Sequence, residues 1–290
     1  MQWTSRQQLQ AETILRGHSD FYDVYNPTPG LSVKTMHNGR AIYDIEGGRF
    51  AVDDDSYLIL NEQQPYRIQI ASNTIVDSFC VFFPADWASD ILRCVMTPAE
   101  HLLGEPIARD FQTWGFFERL QPHDDVVTPI LKQIQAGLHD NALSVGWLED
   151  KLRLLLLHMM HVQFALYREA EQIPVARPAT RLELYRRLHV ARDYIHANLN
   201  RAINLDEIAQ VAHLSPYHFL RTFKQIFGQT PHEYLTQKRL ERAQFLLAHT
   251  RQPVTDICLE IGFESLGSFS TLFQRRIGLS PRRYRQQTTI

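Results

Sequence analysis

The segment 216–227 carries side chains whose chemistry suits contact with a nucleic acid. Phe219 and Phe223 lie one helical turn apart in it, and large apolar residues at that spacing face a core. The side chains that a helix then turns outward or to its edge are Tyr217, His218, Leu220, Arg221 and Lys224. The guanidinium is the most informative of these groups, because it bonds guanine O6 and N7 together and discriminates between bases by about 1–3 kcal/mol.

Three of these side chains have alternatives that the sequence leaves open. Arg221 contacts a base, or it is solvated, or it pairs with Glu207. Tyr217 contacts a sugar, a phosphate or a thymine methyl group, or it is a partly buried aromatic at the rim of a core. His218 donates to a phosphate, or it is a surface histidine without a role. Arg221 is the best single candidate for a base contact.

The segment belongs to a helix-turn-helix pattern that the chain contains twice. Ile208 and Ile257 are 49 positions apart, whereas Phe219 and Phe269 are 50 positions apart, so the turn of the second copy has one extra residue. In each copy apolar residues recur at steps of three and four, break at a short turn and resume, which indicates two short helices that meet at an angle. The pattern predicts the motifs at 205–227 and 254–276.

The second motif has a different set of outward side chains. Its second helix, predicted at 266–276, presents Leu266, Gly267, Ser268, Ser270, Thr271, Gln274 and Arg275. Leu266 and Gly267 cannot form paired bonds to a base, so this copy is expected to contribute affinity more than base discrimination. The arginines that suit phosphate contacts, or form only a solvated basic end, are Arg275, Arg276, Arg282, Arg283 and Arg285.

Charge is distributed unevenly along the 290 residues, a length that suits two domains. Residues 181–290 contain 16 Lys and Arg against 9 Asp and Glu, whereas residues 1–180 contain 14 against 23. A basic region suits a polyanion, because each neutralised phosphate releases condensed counterions. The two halves are therefore expected to have different partners.

The N-terminal part reads as short strands separated by turn residues. The predicted strands are 31–36, 41–45, 49–52, 57–60, 66–71 and 75–83. Asn38-Gly39 and Gly47-Gly48 favour tight hairpins, so the strands form an antiparallel meander that closes as a sandwich or a barrel. A small barrel holds one small ligand in its interior.

Alternation along the predicted strands gives five candidates to line that interior, although core packing is the alternative for each apolar one. They are Lys34, Met36, Tyr43, Tyr66 and Phe79. Lys34 is the informative member, since a lysine that points inward favours an anionic ligand. If Lys34 points outward, that expectation disappears.

Helices are predicted between the strands and the duplicated motif. Residues 125–138 and 144–170 read as helical, and the second carries a broad apolar stripe that packs on the barrel, pairs with a second subunit, or does both. Pro174 and Pro178 break the pattern and mark a linker at 172–180. Further helices are expected at 182–198 and 231–247.

These residues resemble a known family. Residues 205–284 look like the DNA-binding domain of the AraC/XylS bacterial transcription regulators. The most specific match is Ile257-Cys258-Leu259-Glu260-Ile261-Gly262-Phe263-Glu264-Ser265, followed by Phe269-Ser270, Phe273, Gly278, Ser280-Pro281 and Tyr284-Arg285. The meander is similar to the cupin-type sensor domain that many members carry, through Gly48-Arg49-Phe50, Tyr57-Leu58-Ile59-Leu60 and Phe79-Cys80-Val81-Phe82-Phe83-Pro84.

The resemblance implies a fold and an organisation. The expected architecture is an N-terminal cupin-like antiparallel β-barrel with helices and a C-terminal all-α domain with two helix-turn-helix motifs. The expected parts are an effector-sensing domain (1–123), dimerisation or packing helices (124–171), a linker (172–180) and a DNA-binding domain (181–290). Family members place base or backbone contacts at the positions that match Tyr217, Leu220 and Arg221.

The resemblance also implies a function and partners. The chain is expected to be an effector-responsive transcription activator that reads tandem half-sites in the major groove. Its expected partners are double-stranded DNA, RNA polymerase, a small-molecule effector and a second copy of the chain. Two alternatives stay open: a cupin-type enzyme or inert scaffold fused to a constitutive DNA-binding domain, and a binder of nucleic acids in general.

No motif in the sequence predicts catalysis, a cofactor or a metal site. The meander has only His37 where metal-binding cupins use a pair of histidines and a glutamate, and His158 and His161 lack a third ligand. Cys80, Cys94 and Cys258 lie in apolar segments without pairing or metal spacing, which predicts buried thiols. The start lacks the apolar stretch of a secretory signal, so a cytoplasmic protein without a membrane segment is expected.

Overall fold

Residues 6–96, 115–138, 144–171, 173 and 178–288 are described by a computed structural model. The chain forms two units, and the main division between them falls between Glu183 and Leu184, close to the domain start predicted at residue 181. Within the described ranges, no helix has the length and apolar character needed to cross a membrane.

The N-terminal unit contains an antiparallel sheet that closes nearly into a barrel. The strands of this sheet within the described residues are β1 (Ile14–Asn26), β2 (Ser32–His37), β3 (Ala41–Ile45), β4 (Gly48–Val52), β5 (Ser56–Leu60), β6 (Tyr66–Phe82) and β7 (Leu120–Pro122). Their order is β4, β3, β6, β2, β5 and β7, with β1 paired to β6. The predicted fold class is confirmed.

The strand β6 is longer than predicted. The sequence predicts two strands broken at Ser72-Asn73-Thr74, but the structure has one strand of 17 residues. Its first half pairs with β3 and its second half with β2, while β1 runs along its other edge. The register of β1 shifts between Ser19 and Phe21 at this point, so the polar residues interrupt the pairing without ending the strand.

Helices cover one face of the sheet. They are α1 (Arg6–Thr13), α2 (Trp87–Met96), α3 (Thr128–Gly137) and α4 (Val145–Glu171). The helix predicted at 144–170 is confirmed, and its residues Leu152, Leu155 and Met159 are fully buried in one cluster with Val33 and Val81 of the sheet. The α4 stripe therefore forms the core between helix and sheet.

The helix α3 begins three residues later than predicted. The carboxylate of Asp124 accepts hydrogen bonds from the backbone N–H groups of Val126 and Val127, at 2.9 and 2.6 Å. These bonds hold the segment 125–127 in a turn ahead of the helix. The sequence also predicts neither β1 nor α2.

Between residues 178 and 288 the regular elements are all helices. These are α5 (Pro178–Ala197), α6 (Leu205–Val211), α7 (Pro216–Phe227), α8 (Pro231–His249), α9 (Val254–Glu260), α10 (Leu266–Ile277) and α11 (Pro281–Thr288). The predicted linker 172–180 is shortened, because α5 begins at Pro178 and proline suits a first helical turn. Linker residues 172 and 174–177 lie outside the described residues.

The cysteines do not all match the sequence prediction. Cys80 and Cys258 are buried, but Cys94 is exposed. Cys94 lies on α2, where Leu92 faces the core and the next positions turn to the surface. The apolar residues that surround Cys94 in the sequence therefore do not indicate that its thiol is buried.

Candidate nucleic-acid interface

The two motifs have the same backbone arrangement of two helices joined by a short turn. The first pairs α6 with α7 through four residues, and the second pairs α9 with α10 through five. Both turns begin alike, because Leu214 N donates to Ala209 O and Phe263 N donates to Cys258 O, each at 3.0 Å. The difference therefore arises after Leu214 and Phe263.

A serine caps the second helix of each motif. The hydroxyl of Ser215 accepts from the backbone N–H of His218, and the hydroxyl of Ser265 accepts from that of Ser268, each at 3.4 Å. The residue that the second turn adds is therefore Glu264, which is exposed and directly precedes the serine. The sequence prediction of one extra turn residue is confirmed.

Equivalent aromatic residues hold both motifs together. Phe219 and Phe223 are fully buried, as are Phe269 and Phe273. The ring of Phe223 lies 6.1 Å from that of Tyr234, and the ring of Phe273 lies 5.6 Å from that of Tyr284, both edge to face. The phenylalanines thus orient the opposite face of each helix outward.

The structure brings the five predicted side chains of α7 to one exposed surface. Tyr217 is 75% exposed and Leu220 is 36% exposed. His218, Arg221 and Lys224 are also exposed. We call this set, Tyr217, His218, Leu220, Arg221 and Lys224, the α7 outward face.

The structure removes one alternative for Arg221. Glu207 is bound by the guanidinium of Arg201 and by the hydroxyl of Tyr194, the latter at 2.6 Å. These hydrogen bonds, led by that of Arg201, lower the pKa of Glu207. Among the described residues Arg221 has no ion-pair partner, so its guanidinium is available to a ligand.

The outward residues of α10, which we call the α10 outward face, are less basic than the α7 outward face. Leu266 is 41% exposed. The other exposed members are Gly267, Ser268, Thr271, Gln274 and Arg275, while Ser270 is half-buried and faces partly inward. At equivalent positions Arg221 of the first motif is replaced by Thr271, and Lys224 by Gln274.

The arginines that follow α10 do not all share one role. Arg276, Arg282 and Arg283 are exposed, but Arg285 is half-buried and donates to the carbonyl oxygen of Leu247 at 3.4 Å. Arg285 therefore stabilises the packing of α11 on α8, and the exposed arginines remain the candidates for phosphate contact.

The candidate ligand site lies in the N-terminal unit. Lys34 is only 1% exposed, so it points inward. Its ammonium lies 3.8 Å from the ring centroid of Phe82 and 5.3 Å from that of Tyr66. Burial lowers the pKa of Lys34 to about 8. Met36 is buried on the same face, two positions along β2.

Neutral groups surround this ammonium. Tyr43 and Tyr66 are buried with their rings 5.5 Å apart. The Tyr43 hydroxyl donates to Cys80, and burial raises the pKa of both groups. Among the described residues Lys34 has no hydrogen-bond acceptor, and the buried hydroxyl of Ser32 has no hydrogen-bond partner.

Phe79 does not join this set. It lies opposite Thr35 in the pairing of β2 and β6, whereas Lys34 lies opposite Cys80. Phe79 packs with Val33 in the core between the sheet and the helices. Sequence alternation missed Cys80 as the member that faces Lys34, because that assignment requires the register between two strands.

The described residues contain no group of three His, Cys, Asp or Glu side chains that is arranged to hold a metal ion. Sequence reasoning also missed the ion pair of Arg201 and Glu207. These residues are six positions apart and lie on either side of a helix start, so no helical spacing indicates the pair.

Comparison with known proteins gives matches to the C-terminal unit. Residues 208–287 match a family model described as a helix-turn-helix domain. The chain is 38% identical over 98 residues to the bifunctional transcriptional activator and DNA repair enzyme AdaA of Bacillus subtilis, covering 34% of this chain and 46% of AdaA. It is 38% identical over 100 residues to the transcriptional activator RhaS of Escherichia coli, covering 34% of this chain and 36% of RhaS.

A solved structure also matches. It is a transcriptional regulator with an AraC-type DNA-binding domain from Chromobacterium violaceum, at 32% identity and a TM-score of 0.34, covering 35% of this chain and 91% of that one. The chain spans less than half the length of the curated relatives AdaA and RhaS.

Proposed function

Residues 208–287 form a helix-turn-helix domain of the AraC type, and from this premise we propose that the chain is a transcription regulator that binds duplex DNA through two motifs. The observation that supports it best is the exposed guanidinium of Arg221 on the α7 outward face, which has no ion-pair partner within the described ranges. A helix of this kind fits the major groove, where arginine reads guanine.

In this proposal the two motifs have different roles in DNA binding. The α7 outward face reads bases, while the α10 outward face adds contacts to phosphates and sugars, which carry affinity but little sequence information. The connecting helix α8 has 19 residues, a length of about 28 Å at 1.5 Å per residue. The motifs then occupy major-groove segments about 34 Å apart on one face of the duplex.

Selection from a random duplex library tests this function. The full chain, incubated with the library at physiological salt and excess competitor DNA, is expected to enrich duplexes with two half-sites. Enrichment without any shared sequence at that salt would indicate a binder of nucleic acids in general. Footprinting on an enriched duplex then locates the half-sites.

We further propose that the N-terminal unit binds an anionic effector beside Lys34. An ammonium buried among neutral groups is unfavourable, and a carboxylate or phosphate supplies both the opposite charge and an acceptor that the described residues do not provide. Ser32, two positions before Lys34 on the same face, offers a further hydrogen bond to the same anion.

Ligand-dependent stability tests the effector class. Thermal unfolding of the full chain is measured with a panel of small carboxylates, phosphates and neutral sugars. The proposal predicts stabilisation by a member of the anionic sets and loss of that stabilisation in Lys34→Met. A neutral sugar that stabilises both proteins equally contradicts an anionic effector.

In the proposal, effector binding shifts an equilibrium between arrangements of the chain and so changes DNA binding. Linkage requires the effector to bind the free and the DNA-bound chain with different affinities. Calorimetry on both forms measures this difference, and equal affinities contradict the coupling. If a fragment of residues 178–290 gives the same ligand-independent promoter response as the full chain, the first unit is an enzyme or an inert scaffold instead.

We propose that the chain forms a homodimer through α4. Leu154 and Leu157 are 37% and 41% exposed on the side of α4 away from its buried stripe. Leu157 also lines a cleft of about 470 Å³ with Phe164 and Val95. Exposed apolar groups beside a cleft suit the complementary surface of a second copy.

Sedimentation tests the dimer. Leu154→Glu with Leu157→Glu is expected to convert the dimer to a monomer, because it buries two carboxylates in the interface. Lys132→Glu, which places a carboxylate at an exposed position of α3 instead of α4, is the matched control. A dimer that persists in the double variant contradicts this interface.

As a regulator, the chain is proposed to act in the cytoplasm, on the chromosome, and to contact RNA polymerase as an activator. Transcription in vitro from a selected duplex, with purified RNA polymerase and the full chain, tests the direction of regulation. Increased transcript supports activation, and decreased transcript identifies a repressor.

A further inference from the structure

Arg239 occupies a junction within the C-terminal unit. It lies in the middle of α8, and its side chain reaches the loop that leads from α5 into the first motif. Nε donates to the carbonyl oxygen of Leu199 at 3.0 Å, and Nη2 donates to that of Arg201 at 2.8 Å. One side chain thus holds two carbonyl groups of the same loop.

The same guanidinium contacts the second motif. Its Cζ lies 5.5 Å from the ring centroid of Phe263. A Cβ built on Gly262 would lie 2.6 Å from Nη2 of Arg239 and 2.5 Å from the carbonyl oxygen of Leu199. The turn of the second motif is therefore packed directly against Arg239 and the loop that it binds.

The loop is in turn fixed to the first motif. Arg201, whose carbonyl group Arg239 binds, forms the ion pair with Glu207 at the start of α6. A continuous path of contacts thus runs from Glu207 through Arg201 and Arg239 to Phe263, and it joins the first motif to the turn of the second.

On another face of α8, a cleft separates the two motifs. A cleft of about 410 Å³ lies between the end of α7 at Gly228 and the end of α10 at Ile277. Glu233 and Glu241 of α8 also line it. Because the ends of the two DNA-facing helices are separated here, the contacts of Arg239 on the other side constrain their relative orientation.

We infer that Arg239 is a positioning residue that fixes the angle and distance between the two motifs, and thereby sets the half-site spacing that the chain accepts. The statement about spacing rests on the proposed DNA-binding function, whereas the statement about geometry does not. Burial lowers the pKa of Arg239, which indicates that the side chain gives up solvation to make these contacts.

Distances measured in the full chain test the geometry without DNA. Spin labels are attached at Gln225→Cys and Arg275→Cys, equivalent exposed positions of α7 and α10, after replacement of the exposed Cys94 by serine. Pulsed electron paramagnetic resonance is expected to give a narrow distance distribution that Arg239→Ala broadens or shifts. Lys238→Ala, which removes a neighbouring charge that pairs with Glu241 of the same helix, is the control and should keep the narrow distribution.

Binding to spacing variants tests the consequence. Duplexes selected by the full chain are altered by one inserted base pair between the half-sites, which moves them by about 3.4 Å and about 34°. The unaltered chain is expected to lose roughly tenfold or more in affinity, and Arg239→Ala to lose at most about threefold, with base preference within each half-site unchanged. Arg239→Lys, which keeps the charge but not the planar fork, should resemble Arg239→Ala.

Two results would overturn the inference. One is a distance distribution in Arg239→Ala that matches the parent in width and centre, and the other is an unchanged penalty for the inserted base pair. Circular dichroism shows whether Arg239→Ala keeps its helices, and Arg239→Lys replaces it in both measurements if it does not. If the full chain selects no duplex, the proposed function fails while the distance measurement still tests Arg239.

Discussion

Arg201 binds both carboxylate oxygens of Glu207, with Nη1 at 3.3 Å from Oε2 and Nη2 against Oε1. This pair occupies the carboxylate of Glu207, which was the alternative ion-pair partner of Arg221 in the sequence. It also anchors the loop before α6 to the first motif. Because Glu207 is bound in this way, Arg221 has no ion-pair partner among the residues that the structure describes.

Arg221→Ala is expected to relax base preference within one half-site. A guanidinium bonded to guanine O6 and N7 contributes about 1–3 kcal/mol of discrimination, so affinity for the selected duplex should fall by that amount. Binding to single-base variants of the half-site measures the effect. Gln225→Ala, an exposed neutral change on the same helix, is the control. Unchanged affinity and footprint in Arg221→Ala would reject the assignment.

Arg282→Ala is expected to weaken binding to all sequences alike. Arg282 is exposed on α11 and suits a phosphate, which carries no sequence information. The slope of log affinity against log salt should fall in magnitude by about one unit. The control is Gln286→Ala, a neutral exposed change on α11. A selective loss for one half-site sequence would indicate a base contact instead.

Lys34→Met is expected to stabilise the effector-free chain at neutral pH. Burial lowers the pKa of Lys34 from 10.5 to about 8. Between these values the unfolded chain binds more protons than the folded chain, so stability rises with pH across that window and the full cost of the buried charge applies below about pH 8. A shift of this size corresponds to about 3 kcal/mol at pH 7.

Urea unfolding of both proteins between pH 7 and pH 10.5 measures this effect. The advantage of Lys34→Met should shrink as pH rises through the window. Lys132→Met, at an exposed position of α3, should follow the parent curve. Parallel curves for Lys34→Met and the parent would show that the ammonium is not buried at this cost.

Gly262→Ala is expected to destabilise the second motif more than a glycine replacement elsewhere. Gly262 has φ of +79° and no room for a Cβ beside Leu199 O. Gly228 has a similar φ of +71° but nothing within 4 Å, so Gly228→Ala loses only about 1–2 kcal/mol from backbone conformation. Gly262→Ala should lose roughly 1–3 kcal/mol more. Equal losses in urea unfolding would show that the close contact is absent.

The helical motifs were predictable because their signals are local. Ser215 and Ser265 cap helices at the predicted positions, and Thr230 forms a capping box with Glu233 ahead of Pro231. The apolar spacing that follows each cap determines which face is buried. Neither signal depends on residues far away in the chain.

The sheet was less predictable because its faces depend on pairing. Alternation placed Lys34 and Phe79 together, but a register in which Lys34 faces Cys80 moves Phe79 to the other face. The strand β1 has exposed apolar residues such as Phe21, Tyr22 and Tyr25, which occupy both parities, so it shows no alternation to detect. A strand of this kind can be identified only from the strand with which it pairs, here β6.

The position of Glu264 has a consequence for how such a motif tolerates changes in length. It lies before the capping Ser265, and the cap sets where α10 begins, so the added residue leaves the outward side chains of that helix in place. An insertion after Ser265 would instead rotate every later side chain by about 100° around the helix axis. The number of turn residues can therefore change before Ser265, whereas the number of residues after Ser265 cannot change without moving the outward side chains.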